Sequence, residues 1–308
     1  MTDFENIEAA GGTTHWARTP DGTNLRYGVL STDGASKGAV LLLPGYSEFI
    51  EKYLETGSEL QRAGYSVLLL DWRGQGLSDR KLSDHHKGHV QSMDEHIGDV
   101  TQVLAESGFV NWSEDRAILG LSMGGHLGLR LAHGTPDLCR KLILIAPMID
   151  MRTGPIPRQL APVLTSAMIK LGRSTDYVFT TGPYDPEKRV FEGNPLTSDE
   201  NRFGFTRRMY ELNPELIVSG PTFAWLQAAF SSVQLIKSKR FRRGITQSVL
   251  IAMAGADTVV SNLAIKKLAL ELPRAQLVES PCARHEILQE IDSIREPILH
   301  EIERFLQK

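Results

Sequence analysis

Two cysteines in 308 residues, Cys139 and Cys282, are too few and too far apart to staple a fold. A lone disulfide is compatible with that pattern, and free thiols in a reducing compartment fit at least as well. Charge of one sign is also lacking. A formal net charge of -3 supplies neither the basic surface that nucleic acid demands nor a strongly acidic one. No apolar run approaches the ~20 residues of a membrane span. The acidic first eight residues lack the basic, apolar and small-residue parts of a secretory signal, so a cytoplasmic protein is expected. Repeats and low-complexity tracts are missing too. Asp84, His85, His86 and His89 make one histidine-rich stretch, but adjacent histidines point apart and no second group at ligand spacing follows, so no metal is expected. Arg73-Gly74-Gln75-Gly76 fits neither a dinucleotide fingerprint nor a P-loop, and reads as a structural turn. What is there is a chain of ordinary globular composition, long enough to bury one large α/β domain with an insertion, or two modest domains.

The hydrophobic pattern gives an order of elements. Residues 13–18 and 23–30 read as a hairpin around Pro20-Asp21-Gly22, and 39–43 as a buried strand that stops at Pro44-Gly45. A helix is expected over 49–63, ended by Gly64, then a buried strand over 66–72, a helix over 92–107, and strands over 116–119 and 141–146. Strands that are apolar without alternation, separated by helices, predict a mostly parallel sheet covered on both faces, with its site beyond the carboxyl ends of the strands. From about 147 to 220 prolines accumulate and no buried strand is evident. Residues 148–220 are therefore expected to form an inserted helical cap between core parts 1–147 and 221–308. Its stripe of Leu160, Val163, Leu164, Ala167, Met168 and Leu171 reads as a packing face, with the lining of an acyl pocket as the alternative. The α/β rhythm resumes with a helix over 221–238, a strand over 248–253, a helix over 262–271, a strand over 276–279 and a final helix in which Pro297 should cause a kink or break. Lys237, Lys239, Arg240, Arg242 and Arg243 read as a solvated face, with an anionic lipid surface as the alternative. Cys282 reads as a small packed thiol.

The chemistry centres on Gly120-Leu121-Ser122-Met123-Gly124-Gly125, placed between a buried strand and a helical segment. G-x-S-x-G turns a strand sharply into a helix, so that the serine hydroxyl stands exposed at the end of the sheet. A serine needs a base, and the base an acid that holds its tautomer. Only His285 and His300 follow the cap. His285 lies in the loop before the final helix and His300 inside that helix, so His285 is the better base. Asp257, after the strand ending at Met253, is the expected acid, and Asp150 is its rival. The oxyanion needs two backbone donors, expected from Met123 and, in the loop after the first buried strand, from Tyr46.

Leu43-Pro44-Gly45-Tyr46-Ser47-Glu48 with Lys52-Tyr53, Asp71-Trp72-Arg73-Gly74-Gln75-Gly76-Leu77-Ser78-Asp79, Gly120 to Gly125, Gly255-Ala256-Asp257 and Arg284-His285-Glu286-Ile287-Leu288 carry a resemblance. Together they resemble the lysophospholipase and monoacylglycerol lipase branch of the α/β-hydrolase superfamily, of serine aminopeptidase S33 type, and most closely bacterial lysophospholipases of the L2 type. The resemblance implies an α/β-hydrolase fold and hydrolysis of a single-chain acyl ester or lysolipid through an acyl-serine intermediate, without metal or cofactor. It implies Ser122, Asp257 and His285 as the triad, Tyr46 and Met123 as the oxyanion hole, and headgroup contacts at Glu48 and Lys52. A transient contact with a membrane surface is expected, and nucleic acid is not. Most relatives carry His-Gly where this chain has Pro44-Gly45, which bears on the geometry of that loop. An acyltransferase or perhydrolase would use the same triad, and a non-catalytic homologue would use the pocket only to bind.

Overall fold

The computed structural model describes residues 4–32, 34–153 and 156–308. The first three residues of the stretch weighed for a signal sequence, and Pro155 of the proline-rich stretch, lie outside them.

The unalternating apolar runs fold as the buried strands of one sheet. Its strands are β1 (Thr13–Arg18), β2 (Asn24–Leu30), β3 (Gly38–Leu43), β4 (Tyr65–Leu70), β5 (Arg116–Leu121), β6 (Lys141–Ile145), β7 (Ser248–Ala254) and β8 (Ala275–Ser280). The spatial order is β1-β2-β4-β3-β5-β6-β7-β8. β1 and β2 form the expected hairpin and β2 pairs antiparallel with β4; the remaining pairs are parallel. Successive residues of a strand face opposite sides. Leu41 and Leu43 accordingly enter one core layer, while Val40 and Leu42 enter the other. Each such leucine, removed wholly from water, contributes about 2 kcal/mol of transfer free energy.

Helices cover both faces. α1 (Leu54–Arg62), entered through a 3-10 turn at Ile50–Tyr53, and α9 (Asp292–Leu306) pack on the Val40 side. α2 (Met93–Ser107), α3 (Met123–Gly134), α6 (Phe223–Ile236), α7 (Lys239–Arg243) and α8 (Asn262–Glu271) pack on the Leu41 side. α2 begins where its sequence says it should, because Ser92 and Glu95 form a reciprocal capping box. α9 runs continuously through Pro297, so no break occurs there. The apolar residues before it belong to a separate 3-10 turn, Ile287–Gln289.

Between β6 and α6 lie α4 (Ala161–Lys170) and α5 (Glu200–Leu212), joined by irregular chain. α4 packs along α6. α5 is capped by Asp199 and presses Phe205, Met209 and Tyr210 onto Phe49 beside the start of α1. Arg202 on α5 is buried and bonds Glu55, Asp199, Asp292 and the Glu290 carbonyl, which ties this segment to the sheet's helices. Two surface expectations change. Arg242 is buried against Glu271 and the Ile236 carbonyl, and Lys237 bonds Asp150, so the basic run is not uniformly solvated. Cys282 is exposed rather than packed, since it sits in the open turn after β8.

Candidate active site

Ser122 joins β5 to α3 with φ 50° and ψ -111°, a left-handed strain held by its surroundings. Its amide donates to the Ile145 carbonyl at 2.9 Å, and its carbonyl accepts from Met148 at 3.0 Å and His126 at 3.1 Å. Such a turn requires close approach of the helix to the neighbouring strand. A Cβ on Gly124 would run into the carbonyls of Leu43 and Pro44. Strain and clearance together lift the hydroxyl off the end of the sheet.

β7 and β8 deliver the other two groups. His285 Nε2 lies 2.9 Å from Ser122 Oγ, and its Nδ1 lies 2.7 Å from Asp257 Oδ2. Asp257 Oδ1 accepts from the amides of Val259 at 2.7 Å and Val260 at 3.0 Å. Burial alone would push the Asp257 carboxyl up. The hydrogen bond and charge of His285, with those two amides, outweigh it and hold the group below the usual carboxylate range. The loop carrying His285 is itself pinned. Glu286 donates its amide to the Leu196 carbonyl at 2.8 Å, and Arg284 reaches the Asn194 and Thr197 carbonyls at 3.1 and 2.7 Å.

Tyr46, on the loop after β3, lines a cavity with Ser122, and Met123 follows Ser122 at the start of α3. Among the described residues neither amide donates a backbone hydrogen bond, and the Met123 amide belongs to the positive end of α3. The Tyr46 loop is braced throughout. Gly45 donates its amide to the Glu48 carboxylate, and Ser47 to Gln75 Oε1 at 2.5 Å. Trp72 Nε1 donates to the Pro44 carbonyl at 2.9 Å. The hydroxyls of Tyr46 and Ser47 donate to the carbonyls of Ser219 and Val218. Pro44 thus enters the brace through its carbonyl, the atom that proline retains. The Arg73 turn is structural: Arg73 bonds Asp99 at 2.6 Å and Asp21 at 2.7 Å, beside the buried Arg26, Glu51 and Asp71 cluster.

Glu48 and Lys52 are both buried and paired at 3.0 Å, and Lys52 also reaches Glu286 at 2.7 Å. Burial by itself would lower the Lys52 pKa; the carboxylates of Glu286 and Glu48 outweigh it and push it up to about 12. One ammonium therefore links the loop after β3 to the residue following His285. Sequence reasoning assigned Glu286 no role, although it stands inside the Arg-His-Glu motif.

The rivals lie elsewhere. Asp150 pairs with Arg158 and Lys237, and His300 is exposed on α9. His85 faces Glu215, His86 accepts from the Tyr184 amide, and His89 meets Thr222. Among the described residues no group of three His, Cys, Asp or Glu is placed to hold a metal ion.

Two cavities meet at Ser122. One, of about 540 Å³, is mainly apolar, with Met148, Leu164, Val178, Phe179, Phe223 and Leu226 in its wall. The stripe on α4 is divided: Met168 is buried, whereas Leu160, Val163, Leu164 and Leu171 are exposed, and of these Leu164 lines this space. The other cavity, about 270 Å³, is the more polar of the two and is lined by the side chains of Glu48, Lys52, Arg189, His285 and Glu286. Arg189 carried no recognisable signal in the sequence.

Comparison with known proteins agrees with this architecture. The chain is 27% identical over 282 residues to a probable lysophospholipase L2 of Haemophilus influenzae, covering 90% of this chain and 86% of that protein. It is 27% identical over 281 residues to lysophospholipase L2 of Escherichia coli K12, covering 87% and 80%. A soluble variant of monoglyceride lipase from Saccharomyces cerevisiae superposes with a TM-score of 0.76 at 17% identity, covering 98% of both chains, and shares the α/β-hydrolase fold. The sequence model of the serine aminopeptidase, S33 family matches residues 34–292, which is most of the chain, and the protein belongs to that family.

Proposed function

We propose that the protein is a serine hydrolase that cleaves carboxylic esters of single-chain acyl lipids, in the manner of a lysophospholipase or monoacylglycerol lipase. Ser122 Oγ attacks the ester carbonyl while His285 Nε2 takes its proton, and Asp257 steadies the imidazolium through Nδ1. The developing oxyanion receives the amides of Tyr46 and Met123. His285 returns the proton to the leaving alcohol, and an acyl-serine remains. Water, deprotonated by His285, then attacks the acyl carbonyl; the bond to Ser122 Oγ breaks, His285 returns its proton to Oγ, and the fatty acid leaves.

The observation that carries this reading is the continuous hydrogen-bonded run from Ser122 through His285 to Asp257, opening on one strongly apolar cavity and one lined by charged side chains. The apolar cavity suits an acyl chain and the polar one a headgroup. Residues 148–220 act as the cap, a role supported by the share of the apolar wall they provide. The names of the curated relatives, lysophospholipase L2 and monoacylglycerol lipase, point to the same substrates. Exposed Val163, Leu171 and Phe179, on that segment, fit a transient contact with a lipid surface.

A fluorophosphonate probe should label the native protein and not Ser122→Ala, and ester turnover of that variant should fall by about 10⁴ or more. Equal labelling of the two proteins would sink the assignment.

A further inference from the structure

The polar cavity contains two cations, and they differ in how their charge is answered. Lys52 is held between Glu48 at 3.0 Å and Glu286 at 2.7 Å, which commits both carboxylates of the cavity to one ammonium. Arg189 lines the same cavity as Ser122 and His285, half-buried. Among the described residues it has neither an ion pair nor a side-chain hydrogen bond. Its guanidinium lies instead over the rings of Tyr184 and Tyr210, 5.9 and 5.7 Å from their centroids. The nearby Arg207 is already paired with Glu211 at 3.1 Å.

Two aromatic faces fix the position of a guanidinium without consuming its N–H donors. A planar fork presented in this way matches the oxygens of a phosphate, which it can bind through two parallel hydrogen bonds. Arg189 and Ser122 line one cavity, so a phosphate held by this guanidinium belongs to a molecule within reach of the reacting serine. A neutral glycerol headgroup would leave the charge of Arg189 unanswered in a partly desolvated site.

We infer that Arg189 is a specificity-determining anion subsite, which receives the phosphate of a glycerophospho headgroup while the ester lies at Ser122 and the acyl chain in the apolar cavity. The inference rests on the ester-hydrolase reading above and narrows it from acyl esters in general to lysophospholipids. Arg189 touches the headgroup and takes no part in proton transfer.

The test compares two substrates with the same acyl chain, 1-oleoyl lysophosphatidylethanolamine and 1-monooleoylglycerol, in the same neutral detergent micelles, with p-nitrophenyl butyrate as a headgroup-free control. Arg189→Ala should lower kcat/KM for the lysophospholipid by roughly 10- to 100-fold, mostly through KM, as expected for lost charge-assisted hydrogen bonds. Hydrolysis of monooleoylglycerol and of the p-nitrophenyl ester should stay within about twofold. Arg189→Lys, which keeps the charge and loses the fork, should fall between the two. Should the alanine variant not fold, Arg189→Lys and Arg189→Gln carry the comparison. Equal loss on both lipids, or no loss on the lysophospholipid, overturns the proposal. Glycerol 3-phosphate should inhibit monooleoylglycerol hydrolysis by the native enzyme and not by Arg189→Ala. Equally strong inhibition by inorganic phosphate would overturn the assignment to a lipid headgroup in favour of free phosphate. If the native enzyme hydrolysed none of the three esters, the underlying reading would fail, and the inference with it. A native enzyme active on the p-nitrophenyl ester but unaffected by the Arg189 variants isolates failure of the inference alone.

Discussion

The sheet and the segment between β6 and α6 border the same serine by different physical means. Every residue of β3 and β6 is buried, and the strands are locked to their neighbours by continuous parallel ladders. Among the described residues the segment has two α-helices, a 3-10 turn, irregular connections and large apolar side chains left in water at Leu160, Val163 and Leu171. It is tied to the core at separate points, by Arg202, by the apolar contacts of α5 with Phe49, by the packing of α4 along α6, and by hydrogen bonds to the loops that carry Tyr46 and His285. A reaction that tolerates no displacement of its groups belongs on the first kind of support, and a pocket that must match a particular lipid belongs on the second.

The sharpest way to break that contrast is to remove a group held at the end of the sheet. His285→Ala should abolish ester turnover, a fall of about 10⁴, and Asp257→Asn should lower kcat by a similar order through the wrong tautomer of His285. His300→Ala and Asp150→Asn, measured on the same p-nitrophenyl ester, should stay within about threefold. Loss with His300→Ala but not His285→Ala would show that the base is misassigned. A change in the segment should act on selectivity instead. Leu164→Trp, which narrows the apolar cavity, should reduce kcat/KM for a palmitoyl ester by roughly 10-fold and spare a butyryl ester. Equal effects on both chain lengths would argue that the acyl chain lies elsewhere.

The smallest effect should appear in the attachment of the segment. Arg202→Met removes a buried cation whose partners range from the half-buried Glu55 to the exposed Asp292, so the expected cost is about 2 kcal/mol of stability, read as a lower melting temperature. Burial alone would raise the Glu55 pKa. The Arg202 hydrogen bond and the charge of Arg295 outweigh it, so the pKa lies below the usual carboxylate value. A carboxyl lowered on folding stabilises above its unfolded pKa, and that stabilisation fades as pH falls through the folded one. Acidification should therefore destabilise Arg202→Met less than the native protein. An unchanged melting temperature at neutral pH would show that α5 is held by its apolar face alone.

How much of this was legible in the sequence follows from the same contrast. Buried parallel strands announce themselves as unbroken apolar runs, which is why 39–43 and 141–146 differ from β3 and β6 by a single residue at one end each. Their order in space was not legible. The insertion of β4 between β2 and β3 is a matter of pairing that periodicity does not encode. Ser122, Asp257 and His285 could be selected because each follows a strand end, a local property. Arg189 and the bridge from Lys52 to Glu286 could not, because they depend on residues far apart in the chain meeting across a cavity. The α4 stripe misled in part. A helix lying over an opening rather than a core can leave apolar positions in water, and helical spacing alone does not distinguish the two.

The two cavities at Ser122 also set an order of departure. On the proposed reading the alcohol leaves from the more polar cavity while the acyl chain still fills the apolar one, so the room next to the acyl-serine carbonyl empties before the second half of the reaction begins. Whatever enters that room next becomes the nucleophile. Water there ends the cycle with a free fatty acid, whereas a second alcohol there carries the chain away as a new ester. On that reading hydrolysis and transfer differ only in the competition for one vacated space.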